Sequence, residues 1–509
     1  MSATPAAVIV LAAGDGTRMR SQTSKMLHKI AGRTLISHAV HAAAGTNAPH
    51  IAVTVRAHRD AVAAEVLATF PEAVIADQDD IPGTGRAAEC GLAALPSDLA
   101  GTVIVTYGDT PLLSAETLVS LTQQHEATAN AITVLTTHLP DPAGYGRILR
   151  DADGSVTGII EDKDARAAQA EGGPLAHAVE INEINSGIYA FSVDVLRELL
   201  PQVGTDNNQR EKYLTDVLAL ARDRGGRVEA LVIDDTPQIL GVNDKSQLAQ
   251  LGKELNERLV KKLMVEQGAI VIDPATTWVD AEVTVGADTV IHPGCQLLGA
   301  TSIGVECTIG PDTTLKDTEV DDGASVVRTH AELAVIGPQA TVGPFSYLRP
   351  GTTLGARGKI GGFVETKNAQ IGDDAKVPHL TYCGDATIGE GANIGAGTIF
   401  ANYDGVTKNH TNVGRYSFVG SNSVIVAPGS IADGTYVAAG SAVTAPVGPG
   451  ELAVTRARQR NVEGWVARRR AGSATDAAAQ AAVAHGIAAV QQGLEESAPS
   501  ASAVTEENA

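Results

Sequence analysis

Aromatic side chains are scarce in this chain, 3% of its 509 residues, so an interior organised around rings is not expected and the core must be aliphatic. Cysteine is scarcer still. Cys90, Cys295, Cys307 and Cys383 stand far apart with no CxxC pair, which indicates neither a disulfide framework nor a zinc site. Positive charge is in deficit, 38 Lys and Arg against 59 Asp and Glu for a net charge of -21, which disfavours nonspecific binding to nucleic acid or to a membrane surface. Long hydrophobic runs are lacking too: the stretch 6–13 has no positive charge before it and leads into a glycine loop, so it reads neither as a signal peptide nor as a membrane span. A soluble, cytoplasmic chain is expected, with at least two domains at roughly 100–200 residues each.

Glycine, by contrast, is abundant, with 53 residues, and much of it is periodic. Val285, Ile291, Leu297, Ile303, Ile309 and Leu315 recur every sixth position, usually followed by Gly. The count resumes through Ile336, Val342, Leu348, Leu354 and Ile360, and again through Val413, Val419, Ile425, Ile431, Val437 and Val443. Neither a helix nor an alternating strand has this period. One short strand plus one corner per repeat does, with the aliphatic residue inward and a small residue permitting the turn. Such coils stack into a rod stabilised by neighbour contacts. The pattern resembles the left-handed parallel β-helix of hexapeptide-repeat acyltransferases, and the handedness comes from that resemblance.

Before the repeat, short aliphatic runs alternate with helical stretches: 7–11, 35–44, 51–55, 61–70 and 103–107. This rhythm predicts βαβ units and a mostly parallel sheet, whose ligands sit beyond the carboxyl ends of the strands. The first such loop reads Leu11-Ala12-Ala13-Gly14-Asp15-Gly16-Thr17-Arg18-Met19, with Lys25 shortly after. Glycines let the backbone approach a phosphate, and Arg18 and Lys25 can neutralise a polyphosphate. It is neither a Rossmann fingerprint, having Met19 at the third Gly, nor a Walker loop.

That loop is followed in order by Gln78, the GTG of Gly83–Gly85, Tyr107-Gly108-Asp109, the YGR of Tyr145–Arg147, Glu161, the EIN of Glu183–Asn185 and the GVN of Gly241–Asn243. The set is similar to that of sugar-1-phosphate nucleotidylyltransferases. Together with the repeat, the chain up to about Trp465 resembles the bifunctional N-acetylglucosamine-1-phosphate uridylyltransferase/glucosamine-1-phosphate N-acetyltransferases. The resemblance implies that the backbone of Leu11, Ala12, Ala13 and Gly14, with Gln78, Gly83 and Thr84, holds the uridine end of UTP. It places Gly146, Glu161 and Asn185 at the sugar, and Tyr107, Gly108 and Asp109 at the end of a strand beside the phosphates. Asp109 and Asn243 become ligands of Mg²⁺, a hard cation that prefers oxygen, while Arg18 and Lys25 stabilise charge on the transferring groups. Ser24 departs from the family, which usually has Pro before the lysine.

Within the repeat the count breaks between Ile360 and Ile388, where Glu365, Lys367, His379 and Tyr382 collect, and again at 401–412, which reads as a loop thrown out from the rod. An amine attacks a thioester only as its proton is removed, work that histidine can do. The resemblance, carried by HLTYCGDATIG, NIGAG and NYDG, assigns this general-base role to His379. It gives Arg349, Lys367, Tyr382 and Asn393 to the acceptor sugar phosphate, and Ala396, Asn402, Tyr403, Ser421, Ala439 and Arg456 to acetyl-CoA. Arg458, Arg460, Arg468, Arg469 and Arg470 crowd near Arg456 and read as surface charge.

Apolar residues at helical spacing from Leu248 to Met264 predict a helical arm. The expected division is therefore a uridylyltransferase domain over 1–244, a linker over 245–267, and a β-helix acetyltransferase domain with a basic end over 268–470. A disordered tail follows over 471–509, with a transient helix around 477–492. The resemblance implies a homotrimer acting on small molecules: glucosamine-1-phosphate, N-acetylglucosamine-1-phosphate, UTP and acetyl-CoA. It implies a role in UDP-N-acetylglucosamine supply for peptidoglycan and other envelope polymers, including lipopolysaccharide. Two alternatives stand beside it. One is a single-activity nucleotidylyltransferase with a regulatory β-helix, which would not need the His379, Tyr382, Asn402 and Tyr403 set. The other is a zinc hexapeptide enzyme or a structural scaffold, and no close His pair in the repeat favours zinc.

Overall fold

The strand Ala7–Ala12 is buried along its whole length, because its neighbours cover both of its faces. Ala7, Ile9 and Leu11 enter one apolar layer and Val8, Val10 and Ala12 the other, as a sheet sandwiched between helices requires. Ile51–Val55 and Thr102–Tyr107 flank it in parallel. Further out, Glu183–Ser192 runs antiparallel between Thr102–Tyr107 and Ile132–His138, so the sheet is mostly parallel with one reversed strand. A side hairpin, Arg147–Arg150 with Val156–Ile160, branches from that strand. The computed structural model describes residues 3–152, 154–205 and 210–484, and the chain divides into two units between Ala453 and Val454.

The arm is the helix Lys245–Val265, begun by Asp244, whose carboxylate accepts the N–H groups of Ser246 and Gln247. Such a cap satisfies donors that the first turn leaves free. Its two halves have different tasks. Leu251 packs with Met19, Ile30 and Val242 of the sheet domain, whereas Val260 and Leu263 join the core of the rod.

The rod is a left-handed parallel β-helix with three hexapeptides to the coil: Val285 stacks on Ile303, Ile291 on Ile309 and Leu297 on Leu315. Where the six-residue count fails, the stack does not. Leu315 pairs with Ala331 and Val320 with Ile336, so shortened corners keep the inward positions in register. Across 360–388 the interior is filled by Thr366 and Cys383, which pair with each other, and by Ile371 and Ile388. A second column lies at the corners: Thr289, Cys295, Thr301, Cys307 and Thr313 are all buried, each two residues before an inward aliphatic. Thr289 shows the reason, its hydroxyl donating to the Gly304 carbonyl at 2.7 Å and accepting the Cys307 N–H at 3.0 Å.

The second unit holds the helices Trp465–Arg469 and Ala474–Ala484. Residues 474–484 form a helix that overlaps the start of the one expected around 477–492 within the tail. Alanine has the highest helix propensity, and Asp476 fixes the first turn by accepting from the Gly472 N–H at 3.0 Å and from Gln480 at 3.1 Å. The rest of the expected tail, with the end of the transient helix, lies outside the described residues.

Candidate functional site

Two groups of polar residues stand out, one at the carboxyl edge of the sheet and one on the rod. The first surrounds a cavity of about 430 Å³ lined by Leu11, Ala13, Gly14, Arg18, Lys25, Gln78, Gly83, Thr84, Tyr107, Asp109 and Asn243. Gly16 is required by geometry: its φ is +61°, and a Cβ there would stand 2.6 Å from the Lys25 Cβ. The loop can therefore fold back against the lysine stem. Lys25 forms an ion pair with Asp109, and Arg18 donates to the Asn243 amide oxygen at 2.7 Å. The Val242 N–H donates to the Asp109 carbonyl at 2.9 Å, which brings the two oxygen donors together from distant parts of the chain. Ala12 belongs to the buried strand, its side chain in the core.

Gly146 and Glu161 flank the side hairpin, in which Arg147 pairs with Ile160. A Cβ on Gly146 would lie 3.5 Å from Glu161 Oε1 and 3.6 Å from the Asn185 Cβ, so these three form one wall. Burial pushes the Glu161 carboxyl above its ordinary range, with Asp164, Asp216 and Asp162 adding to the effect. Tyr107 lines the cavity, and burial raises its phenol, with Asp109 and then Glu161 contributing. Arg56 and Glu211 line the cavity as well and were not singled out from sequence.

Among the described residues, no group of three or more His, Cys, Asp or Glu could hold a metal ion. A cation at the first site would thus rest on Asp109 and Asn243. Both are hard oxygen donors, and both already face cationic N–H groups, so they fit a magnesium ion that completes its shell with phosphate and water oxygens.

On the rod, Arg349 and Lys367 occupy neighbouring coils, the Arg349 N–H donating to the Thr366 carbonyl at 2.9 Å. Arg349 pairs with Glu365 at 2.9 Å. The Lys408 amine beside Lys367 pushes that lysine below its ordinary range, with Arg349 adding to the effect and Asp385 opposing it. Three cations therefore converge on one patch. Lys408 was missed from sequence; the only signal was a lone cation in the ejected loop. Asn402 donates to the Asp385 carboxylate at 2.5 Å and to the Tyr382 hydroxyl at 3.3 Å, joining the loop to the patch.

His379 ends the strand Lys376–His379 with its side chain exposed. Its carbonyl accepts the Thr381 hydroxyl at 2.7 Å and the Gly397 N–H at 3.1 Å, which fixes the backbone from which the imidazole projects. Asn393 stands in register with Lys376 one coil away. Ala396, Ser421 and Ala439 follow along one corner: a Cβ on Gly395 would lie 2.5 Å from the Ser421 nitrogen, and one on Gly420 2.5 Å from that of Ala439. Small residues keep this corner narrow. In the loop, Tyr403 is exposed and its hydroxyl donates to the Gly405 carbonyl at 2.7 Å. Arg456 belongs to the second unit and is exposed.

Residues 8–172 match a family described as the MobA-like NTP transferase domain. Across 480 residues the chain is 54% identical to the "Bifunctional protein GlmU" of Kineococcus radiotolerans, covering 94% of this chain and 96% of that protein. The protein of the same name from Mycolicibacterium gilvum is 52% identical over 480 residues, 94% of each chain. That from Micrococcus luteus is 53% identical over 494 residues, 96% of this chain and 99% of its own.

Proposed function

The chain belongs to the family of bifunctional GlmU proteins, and on that premise we propose how its two sites divide the work. It is a bifunctional transferase of UDP-N-acetylglucosamine synthesis, serving peptidoglycan biosynthesis. Acetyl transfer to glucosamine-1-phosphate comes first, and uridylyl transfer from UTP to the acetylated sugar phosphate follows.

For the first step, the cation patch of Arg349, Lys367 and Lys408 binds the phosphate of glucosamine-1-phosphate, with Tyr382 and Asn393 at the sugar. His379 takes a proton from the amine as its nitrogen attacks the thioester carbonyl; the amide bond forms, the C–S bond breaks, and CoA leaves as the thiol. Ala396, Asn402, Tyr403, Ser421, Ala439 and Arg456 are assigned to acetyl-CoA. For the second step, the backbone of 11–14, Gln78 and Gly83-Thr84 hold UTP, and Gly146, Glu161 and Asn185 hold the sugar. An oxygen of the sugar phosphate attacks the α-phosphorus and pyrophosphate leaves, with Arg18 and Lys25 balancing the charge that develops. Asp109 and Asn243 would hold Mg²⁺, which supplies Lewis-acid stabilisation of the triphosphate.

We assign 1–244 to uridylyl transfer, 245–267 to the linker, and 268–470 to acetyl transfer, and we place the enzyme in the cytoplasm as a homotrimer. No described helix is long and apolar enough to cross a membrane. The projecting loop, with Val406 at 87% exposure, supports assembly, and light scattering at the monomer mass would refute it. The observation that carries the second activity is the meeting of Arg349, Lys367 and Lys408 beside Tyr382 and Asn402, which a purely regulatory rod would not need. Purified protein given UTP, acetyl-CoA and glucosamine-1-phosphate should form UDP-N-acetylglucosamine only when all three are present. Formation without acetyl-CoA, or none at all, would overturn the reading.

A further inference from the structure

The Pro82–Gly85 loop is held from two sides. On one, Gln78 Nε2 donates to the carbonyls of Ile81 at 2.8 Å and Gly83 at 3.3 Å. On the other lies Lys212, distant in sequence. The Lys212 N–H donates to the Pro82 carbonyl at 2.9 Å, and the Gly85 N–H donates to the Lys212 carbonyl at 2.8 Å. Leu214 adds its N–H to the Thr84 hydroxyl at 3.1 Å. The approach is so close that a Cβ on Gly83, at φ +116°, would lie 2.3 Å from the Lys212 carbonyl oxygen.

The Lys212 side chain is 9% exposed, and its ammonium stands 2.7 Å from Glu89 Oε2. Arg86 reaches the same oxygen at 2.7 Å. Glu89 sits on the helix Thr84–Ala93, which the glycine loop opens. Burying an ammonium is costly unless it is paired, and a lysine is seldom inside without a partner. The backbone of Lys212 therefore fastens the loop, while its side chain fastens the same segment to the helix that the loop begins.

We propose that Lys212, through its pair with Glu89, is a positioning residue for the nucleoside triphosphate, holding the Pro82–Gly85 backbone in the shape that tells uracil from cytosine. The proposal rests on the reading of this cavity as the UTP site. Uracil and cytosine exchange donor for acceptor at N3 and the C4 substituent, and a polar site rejects the wrong pattern only when its own groups are left unpaired. A loop free to shift could accommodate both.

The test uses full-length Lys212→Met and Glu89→Gln, assayed for uridylyl and cytidylyl transfer to N-acetylglucosamine-1-phosphate. In each variant the KM for UTP should rise about tenfold with kcat within about twofold, the mark of lost binding rather than lost chemistry. The preference for UTP over CTP in kcat/KM should fall, and the KM for the sugar phosphate and the acetyl-transfer rate should stay put. The double variant should be no worse than Glu89→Gln alone, since that change already breaks the Lys212 pair along with the Arg86 contact to the same oxygen. An unchanged KM and preference in both variants, with the wild type active, would overturn the role of Lys212 alone. A joint fall of kcat, both KM effects and acetyl transfer would also overturn it, by showing a general folding role. A wild type without uridylyl transfer would overturn the reading of the cavity itself and this proposal with it.

Discussion

Asp109 stands where three pieces of chain meet: the end of Thr102–Tyr107, the glycine loop through Lys25, and the Val242-Asn243 segment through a backbone hydrogen bond. Asp109→Ala removes a ligand from the proposed cation and the partner of Lys25 together. Uridylyl transfer should fall by at least about 10²-fold, the scale of losing one preorganised charge-stabilising group, while acetyl transfer in the same preparation continues. Parallel loss of both activities would point to misfolding. His379→Ala should do the reverse, costing on the order of 10²–10⁴ in acetyl-transfer turnover with uridylyl transfer to supplied N-acetylglucosamine-1-phosphate unchanged; a variant with full acetyl transfer would remove the general-base assignment. Both residues were legible because each sits in a short motif at the end of a strand. Lys408 and Lys212 were not, since their importance lies in partners distant in sequence, Lys367 and Glu89, and a lysine alone carries no sign of what it will meet.

At the scale of the element, the ejected loop is organised by one carboxylate. Asp404 accepts the N–H groups of Val406 at 2.8 Å and Thr407 at 2.7 Å, and the Thr407 hydroxyl at 2.8 Å. The Thr407 and Val406 backbone N–H groups chiefly hold its pKa down to about 2, against an ordinary value near ~4. A depressed carboxylate contributes order that is complete above the ordinary value and is lost as pH falls through the folded one. The loop should therefore stay formed down to about pH 4 and loosen toward about pH 2. Asp404→Ala should loosen it at neutral pH, seen as faster amide exchange at Val406 and Thr407 and a raised KM for acetyl-CoA; unchanged exchange would refute the role. The rod around this loop was legible from its aliphatic period, and the loop from the gap before Val413. The shortened corners were harder to read. At inward positions Thr366 and Cys383 replace aliphatics, so a hydropathy count loses the phase while the stacked backbone, which tolerates a five-residue step, keeps it. The corner column of Thr289, Thr301 and Thr313 was hidden for a related reason: threonine looks polar in sequence, yet here its hydroxyl is satisfied by the next coil.

At the scale of the molecule, the arm decides whether the rod has a closed end. Stacked repeats bury their apolar side only against neighbours, so a terminal coil needs a cap. Val260 and Leu263, 0% and 2% exposed, cover that coil, and Asn256 ties the arm to it, donating to the Thr277 carbonyl at 2.8 Å and accepting the Val279 N–H at 2.8 Å. Burial of two such side chains is worth ~1.5–3 kcal/mol each, and the buried amide adds about 1–3 kcal/mol that would be lost on leaving its partners unpaired. A fragment of residues 253–509 retains the cap, whereas one of 268–509 exposes Val271, Val279 and Val285 at the rod's open end. The longer fragment should be soluble and keep acetyl transfer, because every residue assigned to that reaction lies beyond 268. The shorter one should melt at lower temperature or aggregate, and Asn256→Ala in the whole chain should lower the melting temperature of the rod with uridylyl kinetics unchanged. Equal melting temperatures for the two fragments would mean that the first coil closes itself, and the arm would then be a tether between two independent catalysts and not part of the second one's fold.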